Sequence, residues 1–155
     1  RRGISTRTSK PPWRKPVRMV LDTNVLVSAL ISPSGPPHLL YRLWQAGRFE
    51  LVTSESQIRE LERVLARPRL QKYLSQAEGQ RLMALISSVA ALVEEPLPEV
   101  QASADPDDDV ILGTALVGRA DLIVSGDQRG LIALNEFRGT RILSPTAALA
   151  SLHGA

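Results

Sequence analysis

The sequence predicts an α/β domain of three layers, in which helices cover both faces of a central, mostly parallel sheet of four to five strands. Short apolar runs that suit buried strands alternate with longer segments of helical periodicity, and this alternation is typical of parallel sheets. The 155 residues suffice for one domain with a sizeable core. We place this domain at residues 17–152 and expect residues 1–16 to form a basic, disordered tail.

The charge is divided unevenly between the tail and the domain. The net charge is +3, yet residues 1–18 contain seven bases and no acid, which leaves 12 bases and 16 acids in the remainder. A solvated leader is one interpretation of this tail, and an arm with non-specific affinity for phosphate groups is the other.

The residue types that are present exclude several kinds of chemistry. The chain has no Cys, so disulfides, thiolate zinc sites and Cys nucleophiles are ruled out. Only His38 and His153 are available, and they suggest neither a Ser-His-Asp triad nor a histidine-based ribonuclease. Because no apolar run is long enough to span a bilayer and the lack of Cys fits a reducing compartment, we predict a cytoplasmic protein without membrane contact.

The first strand is predicted at residues 17–21, where an apolar run ends abruptly at Asp22. Such runs suit the centre of a parallel sheet, where both faces are covered. A helix over residues 25–31 is apolar nearly all round and is therefore expected to be buried. A second helix carries the apolar residues from Leu39 to Trp44 and ends near Gly47.

A serine followed three residues later by Gln or Glu marks two further helix starts. Ser54 with Gln57, and Ser75 with Glu78, each match the capping box. The first of these helices follows a strand predicted at residues 49–53. The remaining predicted elements are a strand at 91–93, a helix from Asp105-Pro106 to Gly118, a strand at 122–124, a short helix at 131–134, a strand at 142–143 and a helix from Ser144.

Carboxylates occur at four places where this layout puts strand ends or helix starts. Asp22 ends the first strand, Glu60 lies early in the helix after the second strand, and Asp127 follows a late strand. Because the carboxyl ends of parallel strands meet at one edge, these side chains can meet in one crevice. The fourth place is the start of one helix, which carries Asp105, Asp107, Asp108 and Asp109.

Metal binding is the chemical reason for such a cluster, since close carboxylates repel unless a cation or protons relieve the repulsion. Oxygen ligands without Cys favour Mg²⁺ or Mn²⁺ over zinc. Each acid also has a purely structural alternative. Asp22 and the group from Asp105 to Asp109 could cap helices, Glu60 could pair with a neighbouring Arg, and Asp127 could be a turn residue.

With these residues in view, the chain resembles the PIN domains, a family of metal-dependent ribonucleases, and more narrowly the PIN-type toxin components of prokaryotic toxin–antitoxin pairs. The resemblance covers about residues 17–152. It rests on the order and spacing of four motifs: V-L-D-T-N-V at 20–25, S-E-S-Q-I-R-E-L-E-R-V-L at 54–65, D-P-D-D-D-V-I-L-G-T-A-L at 105–116 and L-I-V-S-G-D at 122–127.

The resemblance implies a PIN-like α/β/α fold, a site for one or two Mg²⁺ or Mn²⁺ ions, and hydrolysis of RNA to a 5′-phosphate and a 3′-hydroxyl. The four acids carried over, both as catalytic residues and as metal ligands, are Asp22, Glu60, Asp108 and Asp127. The third acid is assigned by counting back from Leu116, and its neighbour Asp109 is the alternative. Further candidates beside the site are Asp105, Thr23, Asn24 and Ser125.

RNA that lies near an acidic pocket needs basic side chains at the rim of the pocket. Arg59, Arg63 and Arg67 recur every four residues on the helix that carries Glu60, which suits a phosphate-tracking stripe. A solvated helix face with nearby Glu partners is the alternative. Surplus Leu, Ile and Val in two regions could be core, or could form a homodimer or a surface for a cognate antitoxin. These regions are residues 39–44 and 82–92.

Three rival functions remain open. A Mg-dependent phosphatase on a doubly wound sheet often begins with D-x-D, and here Asn24 stands two residues after Asp22. A flap-type DNA nuclease needs an extra helical clamp for which the chain looks too short. A PIN-like module that only binds RNA or protein, without catalysis, is expected to have lost at least one of the four acids, and all four positions are filled.

Overall fold

The computed structural model describes residues 15–127 and 129–153. The predicted disordered tail lies outside these residues, apart from residues 15 and 16, which belong to no helix or strand. Within the described ranges, no helix is both long and apolar enough to cross a membrane.

The centre of the protein is one sheet of six strands in the order β3-β2-β1-β4-β6-β5. All neighbouring strands are parallel except β5 and β6. The strands are β1 (Arg18–Leu21), β2 (Glu50–Thr53), β3 (Ala91–Leu92), β4 (Leu122–Val124), β5 (Glu136–Phe137) and β6 (Thr140–Leu143).

Seven α-helices connect these strands in the described residues, and a short 3₁₀ helix at Pro68–Lys72 joins the third helix to the fourth. Ser75 and Glu78 form the complete capping box that the sequence predicts for α4. The helices are α1 (Thr23–Ile31), α2 (Pro36–Gln45), α3 (Glu55–Leu65), α4 (Gln76–Val89), α5 (Pro106–Val117), α6 (Leu131–Leu134) and α7 (Pro145–His153).

Side chains of the central strands point alternately to the two faces of the sheet, and a hydrophobic core lies on each face. On β1, Met19 and Leu21 belong to one core, whereas Val20 belongs to the other. The first core is closed by α1, α2, α3, α4 and α7, and the second by α5 and α6. Successive side chains of a strand point to opposite faces, so both faces are covered and the three-layer α/β/α prediction is confirmed.

The sheet has one strand more than the upper end of the predicted four to five. The missed strand is β5, which pairs antiparallel with β6 across a tight turn at Arg138 and Gly139. Both turn residues have positive φ, 49° and 88°, which Gly139 adopts without steric cost. Two strand residues are too few to show a period of two, so no hydrophobic pattern marked β5.

Candidate metal centre

Asp22 is held at the carboxyl edge of the sheet, directly after β1. Its backbone N–H donates to the carbonyl of Val124 at the end of β4, at 2.9 Å. Its side chain makes no capping bond to α1 and instead accepts a hydrogen bond from Ser125 Oγ at 2.9 Å. Burial raises the pKa of Asp22, the hydroxyl of Ser125 and the nearby backbone N–H groups of Thr23 and Asn24 lower it, and the charge of Asp127 adds a smaller upward shift.

Asp108 reaches the same edge from the first turn of α5. It is only 7% exposed, and its Oδ2 accepts a hydrogen bond from Ser103 Oγ at 3.1 Å. Burial is the main cause that raises the pKa of Asp108, and the nearby charges of Asp105, Asp22 and Asp127 act in the same direction. Asp108 therefore experiences the field of two of the other predicted site acids.

Asp127 lies on the exposed side of this group, in the loop after β4. Its backbone N–H donates to Ser125 Oγ at 3.1 Å, so one serine contacts both Asp22 and Asp127. A methyl group added at Gly130 would meet Asp108 Oδ2 at 2.8 Å and would lie still closer to Asp127 Oδ2. The two carboxylates thus face a common point that only a residue without a side chain leaves open.

Glu60 lies on α3 and is tied to the start of α1. Thr23 Oγ1 donates to Glu60 Oε1 at 2.6 Å. Burial is the largest cause that raises the pKa of Glu60, and the nearby carboxyl group of Asp107 adds to it. Asp107 belongs to the predicted acidic helix start but was not among the predicted site residues. It lies beside Glu60 and is therefore a further acidic neighbour of that side chain.

Two acids of the same helix start have local structural contacts instead. Asp105 Oδ1 accepts from the backbone N–H of Asp107 at 2.9 Å and caps α5. Asp109 Oδ1 accepts from the backbone N–H groups of Ala102 and Ser103, at 3.3 and 3.0 Å. Of the neighbours Asp108 and Asp109, the structure therefore places Asp108 toward Asp22 and Asp127, and engages Asp109 with the preceding loop.

Gln57 was predicted to complete a capping box at α3, and this prediction was wrong in part. Ser54 does accept a hydrogen bond from the backbone N–H of Gln57. The Gln57 side chain, however, donates to the carbonyl of Leu21 at 2.6 Å and accepts from Thr53 Oγ1 at 3.0 Å. Gln57 thereby supports the backbone immediately before Asp22.

The arginine stripe is only partly placed beside the acids. Arg59 and Arg63 line a cavity of about 240 Å³ together with Glu60 and Asp107. Arg67 is exposed beyond the end of α3 and does not line this cavity. All three arginines are exposed, as the alternative of a solvated helix face predicts. Their pairing with Glu partners is not seen, since Arg18–Glu50 is the only side-chain ion pair within 4 Å in residues 15–127 and 129–153.

Asn24 remains exposed at the start of α1. It lines a cavity of about 390 Å³ that also reaches Asp127. Two larger cavities, of about 630 and 610 Å³, lie elsewhere, beside α4 and between α2 and α7. A metal ion needs converging oxygen atoms rather than a large volume, so cavity size does not identify this centre.

The donor set fits a hard divalent cation that keeps part of its water shell. Asp22 and Asp108 are buried, each accepts a hydrogen bond from a serine hydroxyl, and the charge of Asp22 contributes to the raised pKa of Asp108. No three Asp, Glu or His side chains of the described ranges are grouped closely enough to form a complete set of metal ligands. Mg²⁺ commonly binds through one or two carboxylates and retains several waters, so such a partial set suits it.

Two comparisons with known proteins each found a match. Residues 18–129 match the family model described as PIN domain. The chain is also 31% identical over 121 residues to the uncharacterized protein MJ1680 of Methanocaldococcus jannaschii. The aligned region covers 77% of this chain and 76% of that protein.

Proposed function

The chain belongs to the PIN-domain family, whose members are generally nucleases that use divalent metal ions, and on this premise we propose that it is a metal-dependent endoribonuclease that hydrolyses RNA phosphodiester bonds. The observation that carries the proposal is the position of Asp22, Asp108 and Asp127 at one edge of the sheet: Ser125 contacts both Asp22 and Asp127, and the charges of Asp22 and Asp127 both raise the pKa of Asp108.

In this proposal Asp22, Asp108 and Asp127 hold one or two Mg²⁺ or Mn²⁺ ions, directly or through water. Such an ion would activate water for in-line attack and neutralise charge on the phosphodiester. Ser125 orients Asp22 and fixes the backbone of Asp127 through its two hydrogen bonds. Glu60 completes the site, held toward it by Thr23.

The flanking charges support a nucleic-acid substrate. The carboxylates would repel the phosphate groups of RNA, so basic side chains are needed where the strand enters the site. Arg59 and Arg63 provide them in the cavity that Glu60 also lines, and arginines bind phosphate oxygens through charge and paired hydrogen bonds. Arg67 would add affinity farther along the strand.

The test is cleavage of end-labelled RNA with and without Mn²⁺ by the wild type, Asp22→Asn and Asp121→Asn. Asp121 is a matched control because it precedes β4, at the opposite edge of the sheet. We expect metal-dependent cleavage that Asp22→Asn loses and Asp121→Asn keeps. Equal cleavage by Asp22→Asn would reveal a contaminating nuclease, and absence of cleavage with RNA binding intact would support a binding module instead.

We further propose that the enzyme is the toxin of a toxin–antitoxin pair, as its sequence motifs suggest. The exposed Leu39 borders the cavity between α2 and α7, together with Leu43 and Leu149, and this apolar surface suits an antitoxin protein or a second copy of the chain. Induced expression in a bacterial host is expected to arrest growth for the wild type and not for Asp22→Asn. Equal growth of both strains would contradict the toxin role.

A further inference from the structure

The cavity that reaches Asp127 has a chemistry unlike that of the arginine-lined cavity. Its volume is about 390 Å³, and it shares no lining residue with the cavity of Arg59 and Arg63. It is formed where α1, α2 and α7 begin. Its lining includes Asn24, Ser28, Pro37, Gly126, Asp127 and Pro145.

The lining suits a neutral planar group with polar edges. No Lys or Arg of residues 15–127 and 129–153 lines the cavity, so a phosphate would meet Asp127 without a compensating basic side chain. Pro37 and Pro145 supply apolar ring surface from two helices. Asn24 and Ser28 are exposed and one turn apart on α1, so they lie on the same face, and their amide and hydroxyl groups can both donate and accept hydrogen bonds.

We propose that this cavity binds one unpaired nucleobase of the RNA, adjacent to the phosphate that lies at the acid cluster. This inference rests on the proposed ribonuclease function and adds a substrate class to it. The volume is near the lower end of ligand clefts, which accommodates one base rather than a stacked duplex. Because a base in a duplex is stacked and paired, the cavity selects single-stranded segments.

The two cavities then divide the recognition of the strand. Arg59 and Arg63 bind the sugar–phosphate backbone toward α3 and α5, while the base cavity holds one nucleotide toward α1 and α7. Because Asp127 lines the base cavity and Glu60 lines the other, the strand crosses the acid cluster between them. Proline rings and van der Waals contact replace the aromatic platforms that many single-strand binders use.

The experiment measures binding separately from cleavage. The probe is a short single-stranded RNA, together with versions that carry an abasic ribose at each position in turn. Fluorescence anisotropy in EDTA, with Asp22→Asn as the parent protein, reports affinity without hydrolysis. Ser28→Phe fills the cavity from an exposed helix position, and Ser87→Phe is the matched control on an exposed position of α4.

We expect one abasic position to weaken binding to the parent by about tenfold, the size of the loss of one base contact. Ser28→Phe is expected to weaken binding of intact RNA similarly and to remove the abasic penalty, while Ser87→Phe changes neither. Ser28→Leu gives a smaller obstruction, and melting temperatures check folding of every variant.

An abasic penalty of equal size in the parent and in Ser28→Phe would overturn the base cavity, as would unchanged binding of intact RNA by Ser28→Phe. Both results leave the nuclease assignment intact if wild-type cleavage still depends on metal and Asp22. Conversely, a Ser28-dependent base penalty in a protein that cleaves nothing would keep the base cavity and refute the proposed activity.

Discussion

Helices α3 and α4 both begin at a serine that is followed three residues later by Gln or Glu, yet only α4 closes the full capping box. At α4, Glu78 returns to the N–H and hydroxyl of Ser75. At α3, the backbone N–H of Gln57 still donates to Ser54, but its side chain binds the carbonyl of Leu21, the residue before Asp22. The same signal thus closes a local box at the exposed Ser75, whereas at α3 the side chain is redirected to the end of β1.

Two further pairs of residues show the same contrast: one member of each pair contacts the acidic site, and the other does not. Asp108 faces the cluster while its neighbour Asp109 holds the loop before α5. Gly130 is crowded by two carboxylates, while a methyl group placed on Gly126 meets no atom of the described residues within 4 Å other than those of its chain neighbours. In each pair, substitution of one residue is expected to disturb the site, and the chemically identical substitution of the other residue is not.

The largest difference is expected between Asp108→Asn and Asp109→Asn. Loss of one carboxylate charge at the proposed metal is expected to lower kcat/KM for RNA by at least about 100-fold, since metal stabilisation of the transition state amounts to several kcal/mol. Asp109→Asn keeps an oxygen that accepts from Ala102 and Ser103, so activity is expected within about threefold of wild type. Steady-state kinetics decides, and the reverse ranking would make Asp109 the third ligand.

The two helix starts are compared by Gln57→Ala and Glu78→Ala. Gln57→Ala leaves the carbonyl of Leu21 and the hydroxyl of Thr53 buried without their partner, which is expected to cost about 2–3 kcal/mol of unfolding free energy. Glu78→Ala opens an exposed cap and is expected to cost clearly less than Gln57→Ala. Urea denaturation measures both, and similar losses would show that Gln57 contributes no more than a cap does.

The glycine pair tests how closely the site is packed. Gly130→Ala places a methyl group against Asp108 and Asp127, so the carboxylates must move apart, and Mn²⁺ affinity is expected to fall by about tenfold. Gly126→Ala has free space and is expected to bind Mn²⁺ within about twofold of wild type. Isothermal titration calorimetry provides the values; equal affinities would mean that Asp108 and Asp127 do not bind the ion together.

The smallest expected effect is the change of unfolding free energy with pH. Its sign at Asp22 and Asp108 is opposite to its sign at Glu78, at the start of α4. Burial raises the pKa of Asp22 and of Asp108 above the ordinary 3.8, so the folded state binds more protons than the unfolded state. Without metal, unfolding free energy therefore falls as pH rises from about 4 through the raised values. Glu78 is opposite: hydrogen bonds from Ser75 lower its pKa, and its contribution is lost as pH falls through that lowered value.

Melting curves in EDTA between about pH 4.5 and 7.5 test this sign. We expect the wild type to lose a few degrees toward neutral pH, since about 1 kcal/mol corresponds to roughly 2–4 °C at this chain length. Asp22→Asn is expected to show a smaller loss, because the substituted side chain does not titrate. A wild-type profile that rises with pH as steeply as that of Asp22→Asn would refute the destabilising burial of Asp22.

The fold was largely predictable because hydrophobic periodicity and helix caps act over a few residues. The three-layer architecture is confirmed, and the main strand and helix positions agree with the pattern. What the sequence could not show depends on long-range contacts. Whether Gln57 caps its helix depends on Leu21, 36 residues away, and the crowding at Gly130 depends on a carboxylate from α5.

The sequence predicted the kind of site better than it predicted which residues form the site. Acids at strand ends suggested the edge where Asp22, Asp108 and Asp127 now lie. The choice between Asp108 and Asp109 needed three-dimensional information, because both lie in the same helical turn and the contact of Asp109 with Ser103 has no pattern in the sequence. The contact between Asp107 and Glu60 likewise requires α3 and α5 to be packed together.

Binding of a divalent cation by the acids at the sheet edge is tested most directly by electron paramagnetic resonance of Mn²⁺. Free Mn²⁺ gives a strong six-line signal that weakens on binding, so titration at neutral pH reports binding without any RNA. We predict saturable binding to the wild type and to Asp121→Asn, and a loss of at least about tenfold in affinity for Asp22→Asn. Equal Mn²⁺ affinity in the wild type and in Asp22→Asn would contradict the account.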